Sequence, residues 1–547
     1  MRFSFVLYLL LLSSSLIQGQ NICLDESFQD WEEVIESHDD GGDSPRLDIV
    51  TLETFSDESF LYFHLILDDE INLQDTPIFI HLDTDDLSLD YGLGDRQGRL
   101  TSDAGIEEIF HYDIGLRSSP TVSSREFEIQ IRREWQISGT IYNLGDQVTY
   151  DFSIRDTGAD RIPDTGFLTH DFRTDNITQI SPITLEQNLE SDFRICSYNV
   201  LRDNIFDGDL REEYARIFKS IDADIYCFQE IFDHSSQQVL SRMFNVFNAL
   251  TGSTWHHSES GTDQVIISRH PIVFARSIGG NAVFVVNVDG QDVMIANVHF
   301  PCCENDSGRE RDIDLLLSFI RGAKRGLENY DLLEGTPLII TGDTNFVGNG
   351  NQVTALLQGL IFNNSVYGED FQVDWDSDGL TDLKPKTTGT NATYTWEQPR
   401  SSFSPGRLDY IFYSDSFLES INALVLDTDK LIEDDLEKYS LEGDDTRRSS
   451  DHLPVIADFV ILPFTDTSDP FHDKNAILYP NPGSDMIYSE LNAVTKVHVH
   501  DINGQLVKTA DKFPISLEDL NNGTYLITIY QDSKVDNATL TQVFVKY

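Results

Sequence analysis

Apolar and polar residues follow a β-type alternation through residues 21–185, as in Phe60-Leu61-Tyr62-Phe63-His64-Leu65-Ile66-Leu67, Ile78-Phe79-Ile80-His81-Leu82 and Glu126-Phe127-Glu128-Ile129-Gln130-Ile131. Successive side chains of a strand point to opposite faces, so this pattern predicts short strands, and their regular spacing predicts a β-sandwich. After about residue 190 the period changes. Tyr214, Ile217, Phe218 and Ile221 stand at helical spacing before a strand over 225–228, and Ile313, Leu316, Leu317 and Ile320 do so before Leu338-Ile339-Ile340. Strands alternating with helices imply helices packed on the outside of sheets. Residues 463–477, with Pro463, Thr465, Ser468 and Pro470, read as a linker. Alternation returns over 478–547 with Asn503-Gly504 and Asn522-Gly523 turns, predicting a small all-β module, a C-terminal β-sandwich. At 547 residues the chain is too long for one core, and the domains expected are 21–185, 190–462 and 478–547.

Met1-Arg2, an apolar run to about Leu12, then Ser13-Ser14-Ser15 and Gly19 form a secretory signal peptide over residues 1–20. That run is too short for a membrane span, and no later stretch reaches about 18 uninterrupted apolar residues, so no transmembrane segment is expected in the mature chain. The five cysteines match neither a zinc site nor a disulfide framework. They read as buried thiols, with a bridge from Cys302 or Cys303 to another loop as an alternative. The net charge of −55 disfavours loose nucleic-acid binding, which draws on Lys and Arg, and favours recruitment of cations. A saline habitat explains it equally well.

Six polar signatures stand in order at the ends of apolar runs: Ser197-Tyr198-Asn199, Phe228-Gln229-Glu230, Asn297-Val298-His299, Asp343-Thr344-Asn345, Arg407-Leu408-Asp409-Tyr410 and Ser450-Asp451-His452. Polar groups ending buried strands gather along one sheet edge, and amides, carboxylates and imidazoles there suit a hard cation and a phosphate ester. The set resembles the endonuclease/exonuclease/phosphatase family, which includes pancreatic-type deoxyribonuclease, over roughly residues 191–462. The resemblance implies an α/β four-layer sandwich, two mixed β-sheets flanked by helices, and a Mg²⁺- or Mn²⁺-dependent phosphoric ester hydrolase.

By that resemblance Glu230 is the principal metal ligand, Asn199 a neighbouring metal or phosphate contact and Asp451 a further ligand. Asp343 orients or deprotonates water and Asn345 holds phosphate; His299, Asp409 and His452 bind phosphate and move protons, with the acid left open. A lone Glu or His at such a place is ordinarily a solvated or structural residue; their ordered recurrence points to a site. Asp343 and Asn345, two apart after a strand, fall on one face about 7 Å apart.

Asp374, Asp376, Asp378 and Asp382, with Gly379 at the turn, have the spacing of a calcium loop. Pro385 at position twelve excludes a full EF-hand, leaving a calcium loop, a solvated acidic loop or a wall of the cleft. The strand running into Asp83-Thr84-Asp85-Asp86 resembles sandwich modules beside secreted polysaccharide enzymes, so the N-terminal module is a passive accessory or a glycan contact. The tail, opening Leu478-Tyr479-Pro480-Asn481-Pro482, resembles the type IX secretion sorting domain, which implies that machinery as partner and a secreted or cell-surface location. Together these give a secreted phosphodiesterase or phosphatase, with an extracellular nuclease of the same family, or a non-catalytic glycan- or calcium-binding surface protein, as alternatives.

Overall fold

The computed structural model describes residues 21–462 apart from 33, 40, 45, 77, 95–96, 155–159, 173–179, 181–183, 253, 377 and 402, and residues 486–546 apart from 488–493, 503–504 and 532–537. The expected signal peptide, the linker over 463–477, the opening of the tail and the Asn503-Gly504 turn lie outside the described residues. The chain forms two compact units, one ending at Leu462 and one running from Pro463 to Tyr547.

The larger unit begins with two mainly antiparallel sheets of five and seven strands. Leu61, Phe63 and Leu65 of the strand Phe60–Ile71 join Ile80, Leu82, Tyr150 and Phe152 of the other sheet in one apolar cluster. The intervening Tyr62 is also fully buried, but in a different cluster, with Phe193 and Ile195 of the strand Phe193–Asn199. A strand buried on both faces loses clean alternation. That is why Phe60–Leu67 reads as a nearly continuous apolar run.

Residues 193–461 hold two six-stranded mixed sheets. In the first, Phe193–Asn199 runs parallel to Ile225–Gln229 and antiparallel to Val455–Ile461; in the second, Gln291–His299 runs parallel to Leu338–Asp343, which is antiparallel to Asp409–Tyr413. Ile195, Ile225 and Ala457 share a cluster with Phe284, Ile295 and Ile411 of the second sheet. The alternate residues Cys196, Tyr226 and Phe228 pack with Tyr214, Ile217, Phe218 and Ile221 of the helix Arg211–Ile221. Val285, Met294 and Ile340 pack likewise with Ile313, Leu316, Leu317 and Ile320 of the helix Asp306–Lys324. Both helical stretches read from spacing are present. The second is capped by the Asn305 side chain accepting from the Gly308 N–H at 3.1 Å and has Arg321 and Lys324 in its last turn, where cations suit the helix dipole.

Among the described residues no helix is long and apolar enough to cross a membrane. All five cysteines are free: Cys23, Cys196 and Cys227 are buried thiols, and Cys302 and Cys303 lie exposed with sulfurs 2.7 Å apart rather than bridged to another loop. The smaller unit has a four-stranded sheet ordered Leu506–Ala510, Val494–Asp501, Gly523–Gln531, Ala538–Lys546 over a core that includes Val497, Ile515, Ile527 and Ile529.

Candidate active site

Strand register brings the signatures together. His299 is the cross-strand partner of Asp343, and Asp343 that of Asp409, so three signature residues form one row across the second sheet. On the first sheet Asn199 pairs with Gln229, the residue before Glu230. Side chains of one row share a face. Gly342 allows the row to close up: a Cβ there would come within 2.0 Å of the Val298 carbonyl oxygen.

The two sheets meet at Asn199. Its Nδ2 donates to Glu230 Oε1 at 3.1 Å and to Asp343 Oδ2 at 3.0 Å. Glu230 itself has a left-handed backbone, φ 63°, held by its N–H donating to Asp263 Oδ2 at 2.9 Å, while Oε2 accepts from the Arg202 N–H at 2.8 Å. Strained non-glycine backbone of this kind persists only where surrounding structure fixes it. Asn345 is also left-handed, φ 50°, with its N–H on Asp343 Oδ1 and its Nδ2 on the Phe300 carbonyl, both at 3.0 Å.

Each histidine is oriented through Nδ1 by a buried carboxylate. His299 Nδ1 lies 2.6 Å from Asp263 Oδ2, and His452 Nδ1 lies 2.8 Å from Asp409 Oδ2, which also accepts from Thr395 Oγ1 at 2.8 Å. Both Nε2 atoms then face Asp343 Oδ2, at 3.6 Å from His299 and 3.5 Å from His452. Burial alone would pull the His299 ring down, but its bond to Asp263 and the charges of Asp343, Asp263 and Glu230 hold it up at about 9. Burial opposes protonation of His452 too, yet Asp409 and Asp343 lift it to about 10. Burial pushes Asp343 up to about 6 despite both rings. The result is two cationic imidazoles and a cluster of carboxylates around one point, a charge pattern found at functional sites.

The cavity beside this cluster has a volume of about 580 Å³. Glu230, His299, Asp343, Asn345 and His452 line it, with Phe232, Trp396 and Phe403 as walls and Gln74 and Thr121 from the N-terminal sheets. Arg202 is the only Lys or Arg lining it among the described residues. Asn199 and Asp409 stand behind this lining. A second cavity of about 610 Å³ shares Gln74, Cys303, Val347 and Phe403 with it and carries Glu70, Asp75, Glu304 and Asp306, the last paired with Arg309 at 2.7 Å.

Two expected residues stand outside the clusters expected for them, Asp451 still close enough for its charge to act on His452. Asp451 is in neither donor cluster, Glu230–His299–Asp343 or Asp343–Asp409–His452; its Oδ2 accepts from Trp396 Nε1 at 3.1 Å. Asp382 is not part of the acidic loop cluster, because Arg407 grips it at 2.7 and 2.8 Å; Asp415 takes its place beside Asp374, Asp376 and Asp378. Asp263, by contrast, carries no signature and was not expected. Its one sequence signal is its position just before the apolar run Val265-Ile266-Ile267, matching the strand-end placement of the six signatures.

Residues 196–452 match the model of the Endonuclease/Exonuclease/phosphatase family. The central domain belongs to that family. Residues 477–543 match the Secretion system C-terminal sorting domain, which marks the protein for secretion or the cell surface. Similar solved structures include D. rerio TDP2 complexed with single strand DNA product, at 16% identity over 49% of this chain and 98% of that one, TM-score 0.32. The human Nocturnin catalytic domain with bound sulfate anion is 17% identical over 49% and 94%, TM-score 0.30. ANGEL2, a 2',3'-cyclic phosphatase in complex with adenosine-2',3'-vanadate, is 16% identical over 50% and 97%, TM-score 0.32. A search of curated proteins finds no match.

Proposed function

We propose that the endonuclease/exonuclease/phosphatase domain is a divalent-metal-dependent phosphoesterase that cleaves phosphodiester or phosphomonoester bonds by direct attack of water. The observation carrying this reading is the convergence of Glu230, His299, Asp343 and His452, from four separate strand ends, on one cavity. A hard cation fits the two carboxylates: ligand oxygens of Glu230 and Asp343 lie within 4.8 Å of each other, and the Asn199 amide donates to both, at 3.1 and 3.0 Å. Glu230 and Asp343 would hold Mg²⁺ or Mn²⁺, with Asn199 beside them; when bound, the ion offsets charge on the phosphoryl oxygens and acidifies a bound water. The protein's own groups do the rest. Protonated His299 and His452 present Nε2–H donors to phosphoryl oxygens, Asp263 and Asp409 fix the orientation of their rings, and the Asp343 carboxylate stands where it would orient or deprotonate the attacking water. Asn345 positions the Asp343 carboxylate through its backbone N–H.

The packing around each sheet supports a four-layer arrangement of residues 190–462, with residues 21–185 as a β-sandwich beside it. We read residues 1–20 as the signal peptide and 478–547 as the sorting domain handed to the type IX machinery. A small organic phosphate is favoured over a polynucleotide, because the groove leading away from the site carries Glu70, Asp75 and Glu304, its Arg309 is already paired with Asp306 at 2.7 Å, and the site itself is lined by a single Arg. A chain of phosphates laid there meets like charge instead of the cations that drive nucleic-acid binding.

The test incubates the mature protein with a phosphomonoester, a generic phosphodiester and plasmid DNA, with and without EDTA. Chelator-sensitive turnover of the small esters is expected. Turnover of none of the three would end the enzymatic reading in favour of a binding protein, and preference for plasmid would favour the nuclease.

A further inference from the structure

We infer that Asp374, Asp376, Asp378 and Asp415 form a structural calcium site, separate from the catalytic cluster, that ties the loop 374–378 to the turn after the strand Asp409–Tyr413. One carboxylate oxygen from each lies within 4.8 Å of the others. Acidic clusters are common on surfaces, so the deciding observation is Asp374. The residue is 1% exposed, and among the described residues Oδ1 accepts only from the adjoining Trp375 N–H while the buried Oδ2 has no hydrogen-bond partner. An anionic oxygen removed from water without a partner is costly, and a cation is the partner that three further carboxylates at that distance specify.

The donors around the cluster are neutral. Asp376 accepts from the Asp378 N–H and from Ser416 Oγ, and Asp415 from Thr381 Oγ1 at 2.7 Å. Among the described residues no Lys or Arg forms an ion pair with any of the four. Lys324 Nζ, whose charge acts on Asp374, spends its hydrogens on the carbonyls of Gln372, Val373 and Asp374 at 3.0, 3.1 and 2.7 Å and donates to none of the four carboxylates. Four carboxylates with hydroxyl and carbonyl oxygens nearby suit Ca²⁺, which takes six to eight oxygens in flexible geometry. Mg²⁺ keeps its waters and uses one or two carboxylates.

The test titrates Ca²⁺ into EGTA-stripped full-length protein by calorimetry, with excess Mg²⁺ present throughout. One binding event is expected, with the melting temperature raised by roughly 3–5 °C. Glu230→Gln should bind Ca²⁺ as wild type does, whereas Asp378→Asn/Asp415→Asn should lose both the heat and the shift. Asp378→Asn alone, at an exposed position, serves if the double variant fails to fold, and should weaken binding at least about tenfold. No Ca²⁺ binding, a shift that Mg²⁺ alone reproduces, binding lost in Glu230→Gln, or binding intact in the Asp378 and Asp415 variants would each overturn the site. Turnover of phosphate esters is read separately, so a failure here leaves the catalytic reading standing, and the reverse.

Discussion

At the scale of single residues the site is a set of charges that fix one another. Glu230→Gln and Asp343→Asn remove an oxygen donor each, and His452→Ala removes a cationic ring; each should lower kcat roughly 10²–10⁴-fold on a small phosphodiester while circular dichroism stays unchanged. Near wild-type activity in all three would remove the proposed site. The histidines also set a pH dependence of stability. Both folded values, about 9 for His299 and about 10 for His452, lie above the ordinary 6.5. Between 6.5 and those values the folded protein therefore holds protons that the unfolded chain has released. The stability these rings contribute is complete below 6.5 and is lost as pH rises through 9 to 10. Melting scans in EDTA should show this decline, and Asp263→Asn, which removes a charge that holds His299 up, should make it shallower. Most of this cluster was legible in the sequence, because each signature ends an apolar run and strand ends collect at one edge. Asp263 was not: it occupies the turn before the strand Gln264–Ser268, and only the order of strands in the sheet shows that this turn faces His299.

At the scale of elements, the N-terminal sheets are structurally part of the catalytic unit. Ile22, Leu24, Trp31, Phe55 and Tyr62 share one apolar cluster with the strands that carry the site. Arg407, which opens the fifth signature, explains the connection. Its buried guanidinium bonds Asp382 at 2.7 and 2.8 Å and Glu26 at 2.6 Å, lying 3.8 Å over the Tyr410 ring, while Thr121 Oγ1 donates to the Phe346 and Arg407 carbonyls. Alternation over 21–185 revealed the strands. The lost alternation at Leu61-Tyr62-Phe63 was the trace of their second buried face, which pattern alone assigns no partner. Arg407→Ala leaves two partly buried carboxylates without their cation and should cost roughly 3–5 kcal/mol, visible as a lower denaturation midpoint for the whole 21–462 unit. A fragment of 190–462 alone, stripped of Trp31 and Tyr62, should be recovered as aggregate or with a broad transition; a soluble fragment of full activity would show that the shared core is dispensable.

At the scale of the molecule, charge and sorting decide how the enzyme meets its substrate. The smaller unit from Pro463 onward is compact in itself and matches a sorting domain, so a chain ending at Leu462 should turn over small esters as the full protein does. The charge of −55 was plain from composition, but its consequence depends on where the acids stand. Glu70, Asp75 and Glu304 line the cavity adjoining the site, with Asp306 paired to Arg309, so the acids outnumber the lone cation and an anionic substrate approaches against a repulsive field. Salt shortens the reach of that field to about 10 Å at 0.1 M. For a small phosphodiester, kcat/KM should therefore rise as ionic strength is increased from low values, with the change in KM or association rate rather than in kcat. A nuclease that binds its polymer through basic side chains must show the opposite sign, because salt competes with counterion release. A salt titration of kcat/KM at fixed saturating Mg²⁺ separates the two by slope alone, and a negative slope on small esters would show that an attractive patch, not the acidic groove, governs approach.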